Sequence, residues 1–161
     1  MPDILLPIRP TFAARIYARE KTIELRRRRP RRVGLSERLY IYETSPIMRV
    51  TGWARVIRVG EVSGNRLATG LEQAEWDDYA RGAKGPLWGV FFGDVVPATR
   101  MRPGAEQLAR LGLWPPPQQW RYLTIDQSEQ LRVLLDPREG AWINALRAGE
   151  TTDSDGDRQG G

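Results

Sequence analysis

Only two of the 161 residues are lysines, and one of them, Lys21, is followed at three and five positions by Glu24 and Arg26. An ammonium, a carboxylate and a guanidinium at this spacing permit two kinds of chemistry. Residues 22 to 26 alternate as a half-buried strand, with Ile23 and Leu25 on one face and Thr22, Glu24 and Arg26 on the other. Glu24 and Arg26 then stand roughly 7 Å apart on that face and can pair. As a binding site the trio offers donors and an acceptor to a polar ligand. As a catalytic site Lys21 would be the base or nucleophile and Glu24 the assisting carboxylate, with Glu72 or Glu75 able to reach in from a neighbouring helix. As plain structure, Lys21 is a contact at a helix C-terminus, and Glu24 with Arg26 is a surface ion pair worth at most about 1 kcal/mol.

Beyond Arg26 the chain reads RRRRPRR to Arg32, where like-charge repulsion and Pro30 favour a loop. Arg27, Arg28, Arg29 and Arg31 offer planar guanidinium donors that grip phosphates in pairs or stack on bases; the alternative is a solubilising loop. The charge distribution favours the first reading. Residues 1 to 60 hold 14 Lys and Arg against 5 Asp and Glu, whereas residues 61 to 161 hold 11 against 15. A field concentrated in one third of the chain suits a polyanion. Trp53, Trp88 and Trp120 are candidate stacking surfaces for a base, although most tryptophans serve cores.

Cysteine and histidine are both absent. That excludes disulfides, thiolate nucleophiles and Cys-based zinc sites, and removes the commonest metal ligand and general base. No metal or cofactor is expected. Neither a signal-type N-terminus nor a bilayer-length apolar run is visible, so the expectation is a cytoplasmic chain that binds no membrane.

The elements that must position these groups follow from periodicity. A buried strand is expected over residues 3 to 8, and an amphipathic helix over 10 to 20 with Pro10 in its first turn. Strands follow over 38 to 44 and 49 to 59, joined through Ser45-Pro46 in hairpin fashion. Residues 71 to 81 fit a helix. Residues 87 to 96 are apolar on both faces, as a central strand requires, with Gly89 and Gly93 as candidate bends or bulges. A short helix over 103 to 111, a last strand over 120 to 125 and terminal helices over 126 to 135 and 138 to 147 complete the reading. The expected organisation is a barrel domain over 1 to 125, a helical extension packed on it over 126 to 148, and a disordered tail over 149 to 161.

Four blocks, ILLPIRPTFAARIYAREKTIELRRRRP, LYIYETSPIMRVTGWARV, PLWGVFFGDV and PPPQQWRYLT, resemble in order and spacing the ASCH family of PUA-like domains, over roughly residues 3 to 125. The family's Lys-x-x-Glu-x-Arg signature reads Lys21, Glu24 and Arg26. Its Tyr-x-x-Ser-Pro reads Tyr42, Ser45 and Pro46, and its late Pro-Pro-Gln-x-x-Arg-Tyr-Leu reads Pro116 to Leu123. The subgroup most similar is that labelled predicted transcriptional regulators.

The resemblance implies an α+β fold, a small partly open β-barrel with short flanking helices and C-terminal helices. It also implies a cleft between the Lys/Glu/Arg strand and its neighbouring loops, and recognition of RNA, single-stranded nucleic acid or a modified nucleoside. Tyr42, Ser45, Gln119, Trp120 and Tyr122 enter the expected site on the strength of these blocks. The alternative is a hydrolase, since some proteins of this family act as ribonucleases or as amidohydrolases on acylated cytidine. Those amidohydrolases carry Thr three residues after the Lys, where this chain has Glu24. A third possibility is a regulatory adaptor with a protein partner at the acidic C-terminal half.

Overall fold

A computed structural model describes residues 2–34, 37–62, 80–82, 84–136 and 138. In chain order it contains β1 (Ile4–Ile8), α1 (Pro10–Tyr17), β2 (Ile23–Arg26), β3 (Arg38–Glu43), β4 (Arg49–Val62) and β5 (Leu87–Pro97). The short helix α2 (Ala105–Arg110), β6 (Arg121–Tyr122) and α3 (Ile125–Leu135) follow. The helices expected over 71 to 81 and 138 to 147 and the expected tail lie outside the described residues, apart from the ends at 80, 81 and 138.

The strands form one mixed sheet in the order β2-β5-β4-β3-β1-β6. Only β1 and β3 are parallel; every other neighbour is antiparallel. The long β4–β5 ladder slips in register between Ala54 and Val56 and again between Val56 and Arg58. Such irregularities add local twist, which curls the sheet into an open half-barrel. Gly93 lies opposite the first slip, as a bulge glycine would. Gly89 does not: it stays in register with Leu25 and Gly60, and a side chain there would meet Val62, Phe91 and Ile23. It permits a close approach and makes no bend.

Strand alternation sorts side chains onto two faces, and both are covered. Ile4, Leu6, Ile8, Leu39, Ile41, Ala54, Val56, Val90 and Phe92 fill the concave face with Ala13 and Ile16 of α1. Leu5, Tyr40, Tyr42, Val50 and Trp53 face outward under Leu108 of α2 and Leu131 and Leu135 of α3. Two-sided burial explains why β1 reads as an unbroken apolar run.

The last strand is shorter than expected, because Thr124 starts a helix there. Its hydroxyl accepts from Gln127 N (3.2 Å), and the Gln127 side chain accepts from Thr124 N (3.0 Å). This reciprocal capping satisfies two orphan donors and diverts Ile125 into α3. The helix is fastened to the sheet by Tyr40, whose hydroxyl lies 2.9 Å from Ser128 Oγ, and Ser128 in turn bonds Asp3. Burial pushes the Tyr40 hydroxyl well above its ordinary range. The Tyr17 hydroxyl, 2.7 Å from Thr51 Oγ1, is likewise pushed up to about 12 by burial. Both phenols remain protonated at neutral pH.

Gly52 marks the tightest contact between α1, β4 and β5: a Cβ there would sit 2.4 Å from the Val96 carbonyl oxygen and 2.7 Å from the Tyr17 hydroxyl. Gly52→Ala is therefore expected to cost about 1–3 kcal/mol through overpacking. Gly60→Ala, whose nearest neighbour is the Arg58 side chain at 3.9 Å, serves as the tolerant control. Urea denaturation checks the pair; equal midpoints for both variants would refute the contact.

Candidate functional site

Lys21 is placed by the end of α1. The helix ends at Tyr17, Arg19 with a φ of 63° turns the chain back, and the Glu20 and Lys21 amides donate to the Arg15 carbonyl at 2.9 and 3.1 Å. Arg19 pins this turn to the β5 bulge through its guanidinium, which donates to the carbonyls of Gly93 (2.8 Å) and Val95 (3.1 Å). The Lys21 backbone thus makes the contact at the helix end, while its side chain joins the wall of a cavity.

From there β2 runs as the edge strand beside β5, with Glu24 opposite Val90 and Arg26 opposite Trp88. Directly opposed residues share a face, and Val90 belongs to the concave core. Glu24 and Arg26 therefore point into the half-barrel. Ile23 and Leu25 pack on the other side, in a small cluster with Val62 and Phe91. The alternation expected in β2 is present, but its polar face is the inner one.

The three charged groups converge. Glu24 Oε1 accepts from Arg26 Nη2 at 2.9 Å, and Glu24 Oε2 lies 3.7 Å from Lys21 Nζ. Lys21 is 3% exposed and Glu24 7%, so this is a buried network rather than a surface pair. The Lys21 ammonium also sits over the Phe12 ring, 5.1 Å from its centroid. Arg26 Nη2 donates as well to the Pro7 carbonyl on β1, at 2.9 Å. Since β6 pairs only with Ile4 and Leu5, the Pro7 end of β1 is left open to receive this bond. Among the described residues, Arg26 Nε is buried without a hydrogen-bond partner.

Around the trio lies a cavity of about 550 Å³, within the range of small-ligand sites. Lys21, Glu24, Arg26 and Arg27 line it, together with Arg9, Phe12, Thr44 and Gln118. The other residues singled out from the sequence are dispersed. Arg28 and Arg31 are exposed on the loop after β2. Arg29 stacks on Trp88 at 5.0 Å, and Arg32 stacks on Tyr122 at 5.3 Å while its amide donates to the Tyr122 hydroxyl. Tyr42 is buried in the outer cluster beneath α2 and α3, and Trp53 shares that cluster. Burial raises the Tyr42 hydroxyl above its usual range. Ser45 is exposed in the β3–β4 turn, Gln119 is exposed, and Trp120 packs against the concave core.

Sequence reasoning missed Arg9, Phe12, Thr44 and Gln118. Phe12 carried the signature of a helix core position. Thr44 lies inside the Tyr-x-x-Ser-Pro motif and Gln118 is the glutamine of the Pro-Pro-Gln motif itself, so both stood within noticed blocks and were passed over for their neighbours Ser45 and Gln119. Arg9, next to Ile8 in the short gap between Pro7 and Pro10, had the weakest signal.

The fold is shared with solved structures. ASCH from Zymomonas mobilis superposes with a TM-score of 0.72 at 26% identity, covering 83% of this chain and 95% of that one. A Tyr-to-Phe mutant of the same protein gives 0.72 at 26%, and a Ser-to-Ala mutant 0.71 at 27%; each match covers 83% of this chain and 99% of the other. No protein-family model and no curated protein matches the chain. The fold is thus that of the ASCH proteins, an α+β half-barrel of PUA-like type. Among the described residues no helix is long and apolar enough to cross a membrane.

Glu24 is the shared counter-ion of the buried Lys21 and the partly buried Arg26, so its removal is costly. Glu24→Gln is expected to destabilise the protein by about 3–5 kcal/mol, as loss of one partner of a buried ionic network does. Adding Lys21→Met should recover part of that loss. Chemical denaturation of the single and double variants checks this, and a single variant within about 1 kcal/mol of the parent would contradict the burial of the network.

Proposed function

We propose that the protein binds single-stranded nucleic acid, RNA foremost, by taking one nucleotide into the Lys21–Glu24–Arg26 cavity while the arginine loop holds the adjoining backbone. The observation that carries this reading is the cavity itself. Its wall combines a carboxylate acceptor, a buried ammonium, a partly buried guanidinium, the Phe12 ring and the first residue of the arginine loop.

Each part has a role in such a complex. The Glu24 carboxylate, held by Arg26 and Lys21, presents an acceptor to the amino or imino edge of a base. Thr44 and Gln118 supply further donors and acceptors at the rim. Arg26 Nε–H is a buried donor that a base carbonyl or a phosphate oxygen would satisfy. Arg27, exposed and still part of the wall, stands where a phosphate leaving the cavity would pass, with Arg28 and Arg31 beyond it. The ASCH fold supports the same class of ligand, since PUA-like half-barrels are generally nucleic-acid binding. A modified base suits an enclosed pocket better than a flat stacking surface, and a regulatory role would follow from such recognition.

A second reading is hydrolysis of the bound nucleic acid or nucleoside. It is favoured by one contact, Lys21 Nζ at 3.7 Å from Glu24 Oε2 on the cavity wall, which pairs a potential base with a carboxylate. Incubation with RNA and with N4-acetylcytidine, beside a Lys21→Ala control, tests it: turnover lost in the variant supports this reading, and turnover equal in both excludes Lys21 as the catalyst.

For the binding reading, anisotropy titrations of labelled single-stranded RNA and DNA are expected to show association at low ionic strength. The association constant should fall steeply as salt is raised, and Lys21→Ala should weaken it. No association with either polymer at low salt would refute the proposal.

A further inference from the structure

We propose that a second basic hollow, formed by Arg49, Arg100 and Arg102 behind the β3–β4 turn, takes a phosphodiester flanking the nucleotide in the cavity, so that a single strand is gripped at two points. This rests on the nucleic-acid reading above and extends it to the length of strand that the protein recognises.

The hollow has a volume of about 690 Å³ and is lined by the turn residues Pro46 and Ile47, by Arg49 at the start of β4, and by the segment from Ala98 to Arg102. Among the described residues no carboxylate lines it. Glu43, opposite Arg49 in the β3–β4 ladder, is the nearest acidic residue by register, and among the described residues no carboxylate forms an ion pair with Arg100 or Arg102. Three guanidiniums around one concavity, without a counter-ion of their own, attract an anion with several oxygens.

The segment that carries them is held rigidly. Ala98 N donates to Thr51 O (2.8 Å), Thr99 N and Arg100 N donate to Leu135 O (3.0 and 3.1 Å), and the Pro103 carbonyl accepts from Val50 N (2.9 Å). Arg49 Nη1 donates to the Arg102 carbonyl at 3.1 Å and so ties the two sides together. With the backbone fixed, a ligand need order only the guanidinium ends, which lowers the entropic cost of binding.

Two further features point to a strand rather than an isolated anion. The first is continuity with the cavity. Thr44 lines the cavity and Ile47 lines the hollow, and the Ile47 amide donates to the Thr44 carbonyl at 3.1 Å. The ends of such a turn stand within about 7 Å of each other, so the two linings adjoin. Exposed Ser45 lies in the chain between Thr44 of one lining and Pro46 of the other. The second is apolar. Ile47, Met48 and Met101 are 41%, 44% and 37% exposed, a grouping of large apolar side chains beside three arginines. Exposed apolar groups gathered in one place mark interaction surfaces, and a base has faces to pack on them.

The test compares a labelled ten-nucleotide single-stranded RNA with a nucleoside monophosphate, using the full chain and an Arg100→Ala/Arg102→Ala variant. Both side chains are exposed, so an unchanged melting temperature should confirm that the variant folds. The expected result is a loss of about tenfold or more in affinity for the oligonucleotide, with the salt slope reduced by about 0.7, as loss of one phosphate contact on a single strand requires, while monophosphate binding stays unchanged. Unchanged oligonucleotide affinity and slope in this variant, with binding lost in Lys21→Ala, would overturn the second site and leave the cavity reading standing. Failure of the parent chain to bind either ligand would remove both. Competition by polyglutamate as effective as by RNA, abolished in the double arginine variant, would assign the hollow to an acidic protein and overturn the proposal.

Discussion

The Glu24 carboxylate, caught between the Lys21 ammonium and the Arg26 guanidinium, is the interaction on which the site depends. Arg26 also reaches the Pro7 carbonyl. Through this one side chain the edge strand β2 is tied to β1, across the gap that an open half-barrel leaves between its two sides. An apolar residue at position 26 could not bridge that gap, since the carbonyl on the far side requires a donor. A lysine would make the reach with a point charge and lose the planar fork that serves Glu24 and Pro7 together.

That network carries a cost, and the cost is informative. Taking these charges out of water brings desolvation penalties that their mutual attraction only partly offsets. On the function proposed, the polar wall is a ligand surface that also serves as a strut. Its surroundings fit that dual role. Arg19 braces the turn that presents Lys21, Phe12 lies beneath the ammonium, and Val33 returns the arginine loop to the concave core, so the loop is anchored just past its charges.

Much of this was legible in the sequence, for identifiable reasons. Strands such as β3 and β4 announce themselves by aromatic and β-branched residues, and their hairpin by Ser45-Pro46. The signature trio was found because a rare lysine stood at strand spacing from a carboxylate and a guanidinium. What alternation alone could not disclose was which side of β2 faces inward. Ile23 and Leu25 have the pattern of a core face, yet they pack on Val62 and Phe91 behind the sheet, because the concave side at this edge is a cavity. Tyr42 illustrates the complementary difficulty. It looks like a site residue until α2 and α3 are seen to cover the outer face of β3, and nothing local to residues 38 to 44 reports that cover. The proline-rich approach to β6 has no period to say which glutamine turns inward, and it is the motif's own glutamine, Gln118, that lines the cavity where its neighbour Gln119 was expected.

The central claim is that the concave face at β2 is the place where a nucleotide is held. Backbone amide chemical-shift mapping during titration with a nucleoside monophosphate addresses it most directly. The account predicts that perturbations concentrate on Arg9, Lys21 to Arg27, Thr44 and Gln118. Perturbations confined to the helical face of α2 and α3, with those residues unmoved at saturation, would contradict it.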